Sequence, residues 1–147
     1  MTDVEALLRA AGDALAVPLG PLPDLVGRLP ARRPRVDLDH LHLLVRDLDA
    51  SASFYGQWFG LEGDVIDGTL FARNAEGFLL CLTPASQPTR LGDAHFGFTM
   101  PSVDTLRMLR DAMVASGVKA SDVNVGPGHA SFHVRDPDDN DIEVFAE

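Results

Sequence analysis

The 147-residue sequence has little cysteine and no long apolar stretch. A single cysteine, Cys81, excludes an internal disulfide bond and a zinc site built from several thiolates. No apolar run reaches the roughly 18 residues that a membrane-spanning helix needs, and the first residues lack the basic and then apolar layout of a secretory signal. We therefore expect a cytoplasmic protein without a membrane partner.

Positive charge is also scarce. Twelve lysine and arginine residues stand against 22 aspartate and glutamate residues, the formal net charge is −10, and Lys119 is the one lysine. Such a chain repels phosphate backbones, so we expect no nucleic-acid partner. With 46% hydrophobic residues, its length suits one compact domain or two small half-domains that share a core.

Residues 1–35 differ in composition from the rest of the chain. Thr2 as N-cap, with Glu5 three residues later and an apolar stripe behind them, predicts a helix over residues 2–15. Five prolines between residues 18 and 34 then indicate an irregular connector. We expect an N-terminal helical extension, followed by one domain over residues 36–147.

The remaining sequence contains an internal repeat. Residues 36–45 alternate as a half-buried strand does, a helix follows from the N-cap segment at Asp47 to Gly60, and three short strands are expected near 62–66, 69–73 and 78–83. An offset of 55 aligns His40 with His95, and an offset of 62 aligns Cys81 with Glu143. The repeat predicts an α+β fold of two βαβββ modules, residues 36–85 and 90–147, with a second helix over 102–116.

The last strand pair, residues 129–146, contains an isolated carboxylate. Glu143 stands among Ile142, Val144 and Phe145, and a carboxylate in apolar surroundings is costly unless a cation neutralises it. The pseudo-equivalent residues His40 and His95 begin the two first strands, which related modules would bring together around a last strand. We therefore predict one divalent metal held by His40, His95 and Glu143, a donor set that suits Fe(II), Mn(II) or Zn(II) and leaves positions open for a substrate. In the alternative interpretation, all three are ordinary surface residues.

Several segments resemble the vicinal oxygen chelate superfamily, which includes glyoxalase I, extradiol dioxygenases, fosfomycin-resistance thiol transferases and bleomycin-resistance proteins. These are His40-Leu-His-Leu-Leu-Val-Arg-Asp-Leu-Asp49, Phe59-Gly-Leu61, His95-Phe-Gly-Phe98 and Asp136-Pro-Asp-Asp-Asn-Asp-Ile-Glu143. In the last segment Asp139 stands where the family commonly has glycine, and aspartate tolerates the positive φ of such a turn. The resemblance implies modules that pair into a curved-sheet cleft, metal ligands at His40, His95 and Glu143, and a small-molecule substrate.

The resemblance also implies a homodimer, but it leaves open how the site is built. One chain can close one cleft, or His40 can come from one subunit and His95 with Glu143 from another, as in some relatives. Bleomycin-binding members lack these ligands, so their presence favours an enzyme.

Two features separate the branches of this superfamily. Glyoxalase I is similar but has a second Glu where the repeat places Cys81, which we interpret as a small core residue. Fosfomycin-resistance enzymes have a Thr where His42 stands, and basic residues for a phosphonate are scarce here. The leading hypothesis is therefore an extradiol-type dioxygenase with Fe(II), in which His42 or His133 moves a proton.

Other interpretations of the same residues remain. His42 can instead be a supporting or alternative ligand, and His133 a hydrogen-bonded core histidine. We expect His129 to be exposed and Asp141 to be solvated at the turn. Two different functions also stay open: a redox-neutral lyase, isomerase or thiol transferase that uses Mn(II), Ni(II) or Zn(II), and a non-catalytic protein that binds a drug or metabolite.

Overall fold

The structure of the protein is a computed structural model that describes residues 38–147, so the predicted helix at 2–15 and its connector lie outside the described residues. The order of elements is strand, helix and three strands, twice over, and confirms the predicted modules. The elements are β1 (His40–Val45), α1 (Leu48–Phe59), β2 (Glu62–Ile66), β3 (Thr69–Arg73), β4 (Leu79–Pro84), β5 (His95–Thr99), α2 (Val103–Ala115), β6 (Asn124–Gly126), β7 (His129–Arg135) and β8 (Asp141–Ala146).

The helices and turns begin and end where local chemistry dictates. Asp47 caps α1 through a bond from the Ala50 amide, and Gly60 ends it with a φ of 62°. The hairpin turn between β2 and β3 is formed by Asp67 and Gly68, both at positive φ. Neither helix in the described part of the chain is long and apolar enough to cross a bilayer.

Each module forms its own four-stranded sheet, in the orders β1-β4-β3-β2 and β5-β8-β7-β6. The first strand runs parallel to the last strand of its module, and the other pairs are antiparallel. The registers confirm the alignment of Cys81 with Glu143, because Phe71 faces Cys81 in sheet one and His133 faces Glu143 in sheet two.

The two first strands do not meet within residues 38–147 of one chain. β1 and β5 are edge strands of separate sheets, each paired on one side with the last strand of its own module. β1 is also shorter than expected, since Leu38 and Asp39 are not in the strand.

One face of each sheet packs into a shared core, and the other face is open. Leu43 and Val45 of β1 and Phe132 and Val134 of β7 are almost fully buried there. The aromatic residues of α1 lie in this core: Tyr55 is buried, and the ring of Phe59 stacks on Phe98 of β5 at 4.2 Å. The opposite, open faces contain all the predicted site residues.

The turn before β8 joins the two modules. The Asp136 carboxylate, which is 5% exposed, accepts bonds from the amides of Asp138 and Asn140 and from the hydroxyl of Tyr55 at 2.8 Å. Burial, and then the nearby Asp136 charge, raise the pKa of Tyr55 far above its usual range, so the hydroxyl keeps its proton as the donor. Asp139 takes the positive φ predicted for it, at 69°.

Candidate metal centre

The open face of sheet two brings His95 and Glu143 together. β5 and β8 are parallel, His95 is paired with Asp141, and Gly97 is paired with Glu143. His95 and Glu143 are therefore diagonal neighbours on one face, since alternate residues of a strand share a face. Nε2 of His95 lies 3.4 Å from Oε2 of Glu143, and their side chains are 45% and 30% exposed.

This spacing fits two ligands of one metal ion. Imidazole nitrogen and carboxylate oxygen bind Zn²⁺-like ions at about 2.0–2.2 Å, which puts two adjacent ligands about 3.0 Å apart at octahedral angles and about 3.4 Å apart at tetrahedral angles. The donor atoms of His95 and Glu143, 3.4 Å apart, fall at the upper end of this range. One imidazole and one carboxylate on the same side of the sheet are thus chemically and geometrically suited to a divalent ion.

His133 stands beside this pair and is oriented by Asp141. Nε2 of His133 lies 4.0 Å from Oε1 of Glu143, whereas Nδ1 lies 3.1 Å from Oδ2 of Asp141. The carboxylate accepts, so Nδ1 carries the proton in the neutral imidazole, and Nε2 keeps a free lone pair. The expectation that Asp141 is solvated was wrong: its side chain is 19% exposed, because β8 begins there and places it between His133 and Arg135.

Gly97 leaves space in front of this cluster. It lies on the same face between His95 and Thr99, and a Cβ added to it would sit 3.0 Å from the backbone oxygen of Glu143. Glycine inside a strand weakens it and often marks a place where a ligand or another backbone approaches closely. The bare backbone therefore keeps open the region that Glu143 borders.

The histidines of module one are on the open face of the other sheet. Nδ1 of His40 lies 3.3 Å from Asp39, and its side chain is 58% exposed. Nε2 of His42 lies 2.8 Å from Oγ1 of Thr83, which in turn lies 2.7 Å from Oγ1 of Thr69. Within residues 38–147 of one chain, no three His, Cys, Asp or Glu side chains are placed to hold a metal ion together.

The structure therefore joins some of the predicted site residues and separates others. His95, Glu143 and His133 form one cluster, while His40 and His42 lie on β1, in the other sheet. His129 is exposed, as expected, and Cys81 is buried. Sequence reasoning missed Asp141 as the partner of His133. The available signal was the shared strand parity of Asp141 and Glu143.

Comparisons with solved structures show the same fold. The chain is 21% identical to the genomically encoded fosfomycin resistance protein FosX from Listeria monocytogenes, with 78% of this chain and 95% of that chain covered and a TM-score of 0.69. It is 24% identical to lactoylglutathione lyase from Agrobacterium tumefaciens (78% and 96% covered, TM-score 0.64) and 19% identical to oxidase ChaP-H2 (76% and 94% covered, TM-score 0.64). A sequence search of curated proteins gives no match.

A family model also matches most of the chain. It covers residues 37–144, which include nearly all of both modules and all five predicted site residues: His40, His42, His95, His133 and Glu143. Together with the duplicated βαβββ architecture, this match shows that the chain belongs to the Glyoxalase/Bleomycin resistance protein/Dioxygenase superfamily, the vicinal oxygen chelate fold predicted from its motifs.

Proposed function

We propose that the protein is a metal-dependent enzyme whose centre is formed by His95 and Glu143 of one subunit and His40 of a second copy. One observation supports this most: the donor atoms of His95 and Glu143 are as far apart as two ligands of one metal ion, while His40, the third predicted ligand, lies on the other sheet of the same chain. Members of the superfamily typically use a divalent metal, bind small molecules and commonly form dimers.

The edges of the two sheets support a dimer of this kind. β1 and β5 each pair on one side only, and each begins with a candidate metal ligand, His40 or His95. An edge strand offers unpaired backbone groups to another chain. If β1 of one subunit lies beside β5 of the other, each twofold-related site receives one histidine from each subunit.

The leading reaction is an extradiol-type dioxygenation of a catechol-like substrate, in which both atoms of O₂ enter the cleaved ring product. A bound Fe(II) would hold two adjacent substrate oxygens, stabilise their negative charge and leave a position for O₂. His133 then accepts a hydroxyl proton at Nε2, because Asp141 holds the opposite ring nitrogen. His42, bonded to Thr83, is the corresponding candidate on the face that the second copy contributes.

The asymmetry between the modules favours three ligands over four. The residue of module one that matches Glu143 is Cys81, 6% exposed, so no second carboxylate stands at the pseudo-equivalent position. The lack of a carboxylate at this position disfavours the four-ligand centre of a glyoxalase. A three-ligand centre would leave more coordination positions for the substrate and O₂. A redox-neutral lyase or thiol transferase with Mn(II), Ni(II) or Zn(II) remains the alternative reaction.

A complementation experiment tests the shared centre. His40→Ala and His95→Ala homodimers should each bind Fe(II) weakly, but a purified heterodimer contains one intact site and should bind about half the metal of the native dimer. His129→Ala, also on the open face of sheet two, is the matched control and should bind normally. If the heterodimer binds no more metal than its parents, the intersubunit centre is refuted.

Oxygen uptake tests the reaction. Protein purified without added metal is analysed for its metal content, then loaded with Fe(II) and mixed with a panel of catechols under air. Uptake of one O₂ per ring cleaved supports the dioxygenase. Metal binding without uptake in any iron-loaded sample contradicts the dioxygenase and favours the redox-neutral alternative.

A further inference from the structure

A cleft of about 470 Å³ opens on sheet two beside His133, and two cations line it. Lys119 and Arg135 stand on its rim, together with Ser121, His133 and Asp141. The position is unusual for this chain, since Lys119 is its one lysine and the net charge is −10. Two of the few positive charges of the chain thus lie next to the candidate metal centre.

The strand register places the two cations opposite each other. Residues 119–121 run along the outer edge of β7: Ala120 bridges Val134, and the Ser121 amide donates to the carbonyl of His133 at 2.8 Å. Antiparallel pairing of Ala120 with Val134 puts Lys119 opposite Arg135. Like charges directly opposite on one face destabilise a sheet unless an anion lies between them.

The internal repeat supplies a comparison. Arg73 of module one occupies the position that Arg135 occupies in module two, and it is paired across the strands with Glu62, a residue of opposite charge. Both arginines donate Nη1 to a carbonyl of the following turn, that of Gly77 in module one and that of Asp139 in module two. The two modules therefore differ in the charge that faces this arginine.

No carboxylate of the described residues neutralises the pair fully. Asp141 lies 3.9 Å from Nε of Arg135, but its two oxygens already lie 3.1 and 3.2 Å from Nδ1 of His133. Lys119 makes no ion pair with any residue in the range 38–147. Arg135 is half exposed, so its remaining N–H groups can reach a ligand.

We propose that this cleft binds an oxyanion, a carboxylate or a phosphonate, carried by the substrate of the metal centre. That the anion belongs to the substrate of the metal centre rests on the proposed function, whereas the anion site itself rests on the positions of Lys119 and Arg135. A row of paired residues runs from Lys119 through Arg135 and Asp141 to His95. Arg135 is two strands from His95, about 10 Å, which suits one ring with a short acidic side chain.

Anion binding by the metal-free, full-length protein tests the inference. The probes are benzoate, phenylphosphonate and benzamide, a neutral analogue of benzoate, with binding followed by calorimetry and by amide NMR shifts. At least one anion should bind about fivefold or more tightly than benzamide and shift the amides near Lys119 and Arg135. The tighter of the two anions identifies the group that the substrate carries.

Charge-removing variants localise the binding. Lys119→Gln and Arg135→Gln should each weaken anion binding about three- to tenfold, whereas Arg73→Gln, the matched control, should leave it unchanged. If Arg135→Gln fails to fold because its bond to Asp139 is lost, Lys119→Gln and Lys119→Glu provide the comparison. Equal losses in the Arg73 and Arg135 variants would mean general charge attraction and would overturn the proposal, as would equal binding of benzoate and benzamide.

A metal titration of the same samples separates this inference from the proposed function. If benzoate binds and Fe(II) does not, the metal centre fails, but the anion site stands. If Fe(II) binds and the anions bind no better than benzamide, the anion site fails, but the metal centre stands.

Discussion

Replacing Tyr55 by phenylalanine removes one buried hydroxyl and should have an effect that depends on pH. In the native protein this hydroxyl donates to Asp136 at 2.8 Å, and both residues are almost fully buried. A hydrogen bond to a charged group contributes about 1.5–3 kcal/mol, so we expect Tyr55→Phe to lower the free energy of unfolding by that amount at neutral pH. Asp136 keeps its bonds from Asp138 and Asn140, which limits the loss.

The difference should shrink in alkali. Burial and the Asp136 charge raise the pKa of Tyr55 in the folded state, whereas the unfolded chain ionises its tyrosine near pH 10. Above that pH the folded state binds more protons than the unfolded state, so native stability falls with rising pH, by about 1.4 kcal/mol per unit. The phenylalanine variant lacks this contribution, so the two proteins should become about equally stable between roughly pH 11 and pH 12.

Urea unfolding measures both effects. Trp58, the one tryptophan, reports unfolding by fluorescence, and Tyr55, the one tyrosine, reports ionisation by phenolate absorbance. In the folded protein the phenolate signal should stay absent until the chain unfolds. A constant stability difference from pH 7 to pH 11, or a phenolate that titrates near pH 10 without unfolding, would refute the assignment of the hydroxyl as a buried donor to Asp136.

Three further substitutions test other parts of the structure. Gly97→Val places its Cβ 3.0 Å from the Glu143 carbonyl oxygen, so it should cost about 1–3 kcal/mol in urea unfolding and weaken metal binding. Unchanged stability would contradict the close approach, and unchanged metal affinity would contradict a metal centre beside Gly97. His133→Ala should lower kcat about 10²- to 10⁴-fold while metal content stays constant, and loss of metal would mean that His133 is a ligand. Leu80→Ala, in the fully buried middle of β4, should cost about 2–5 kcal/mol by the same unfolding assay, and a cost below about 1 kcal/mol would contradict its core position.

The elements of the fold could be predicted because their signals are local. Asp47 and Gly60 bound the first helix, Ser102 caps the second, and short partly alternating runs between turn residues mark the strands. The equivalence of residues in the two modules was predictable for a different reason: the repeat aligns the two halves of the sequence. The alignment of Cys81 with Glu143 thus predicted the pseudo-equivalent positions that the strand pairing shows.

The arrangement of the two sheets could not be predicted in the same way. Pairing between β1 and β5 has no local signal, since an edge strand has the same alternation whether its partner belongs to the same chain or to another one. The pairing of Asp141 with His133 was missed for a similar reason. Asp141 is two residues from Glu143, which predicts that both share the open face of the sheet. Its burial, however, depends on Arg135 and His133 of the neighbouring strand.

The two modules share a scaffold but differ on their open faces, and this difference agrees with the proposed dimer. In module two the face bears His95, His133, Asp141 and Glu143. At matching places, module one has His40, Phe71, Leu79 and Cys81. Of these four matched positions, the one on the first strand alone has an accessible potential ligand, a histidine, in both modules. In the proposed centre a module-one face therefore has to meet a module-two face, and the proposed exchange between two chains would provide that meeting twice.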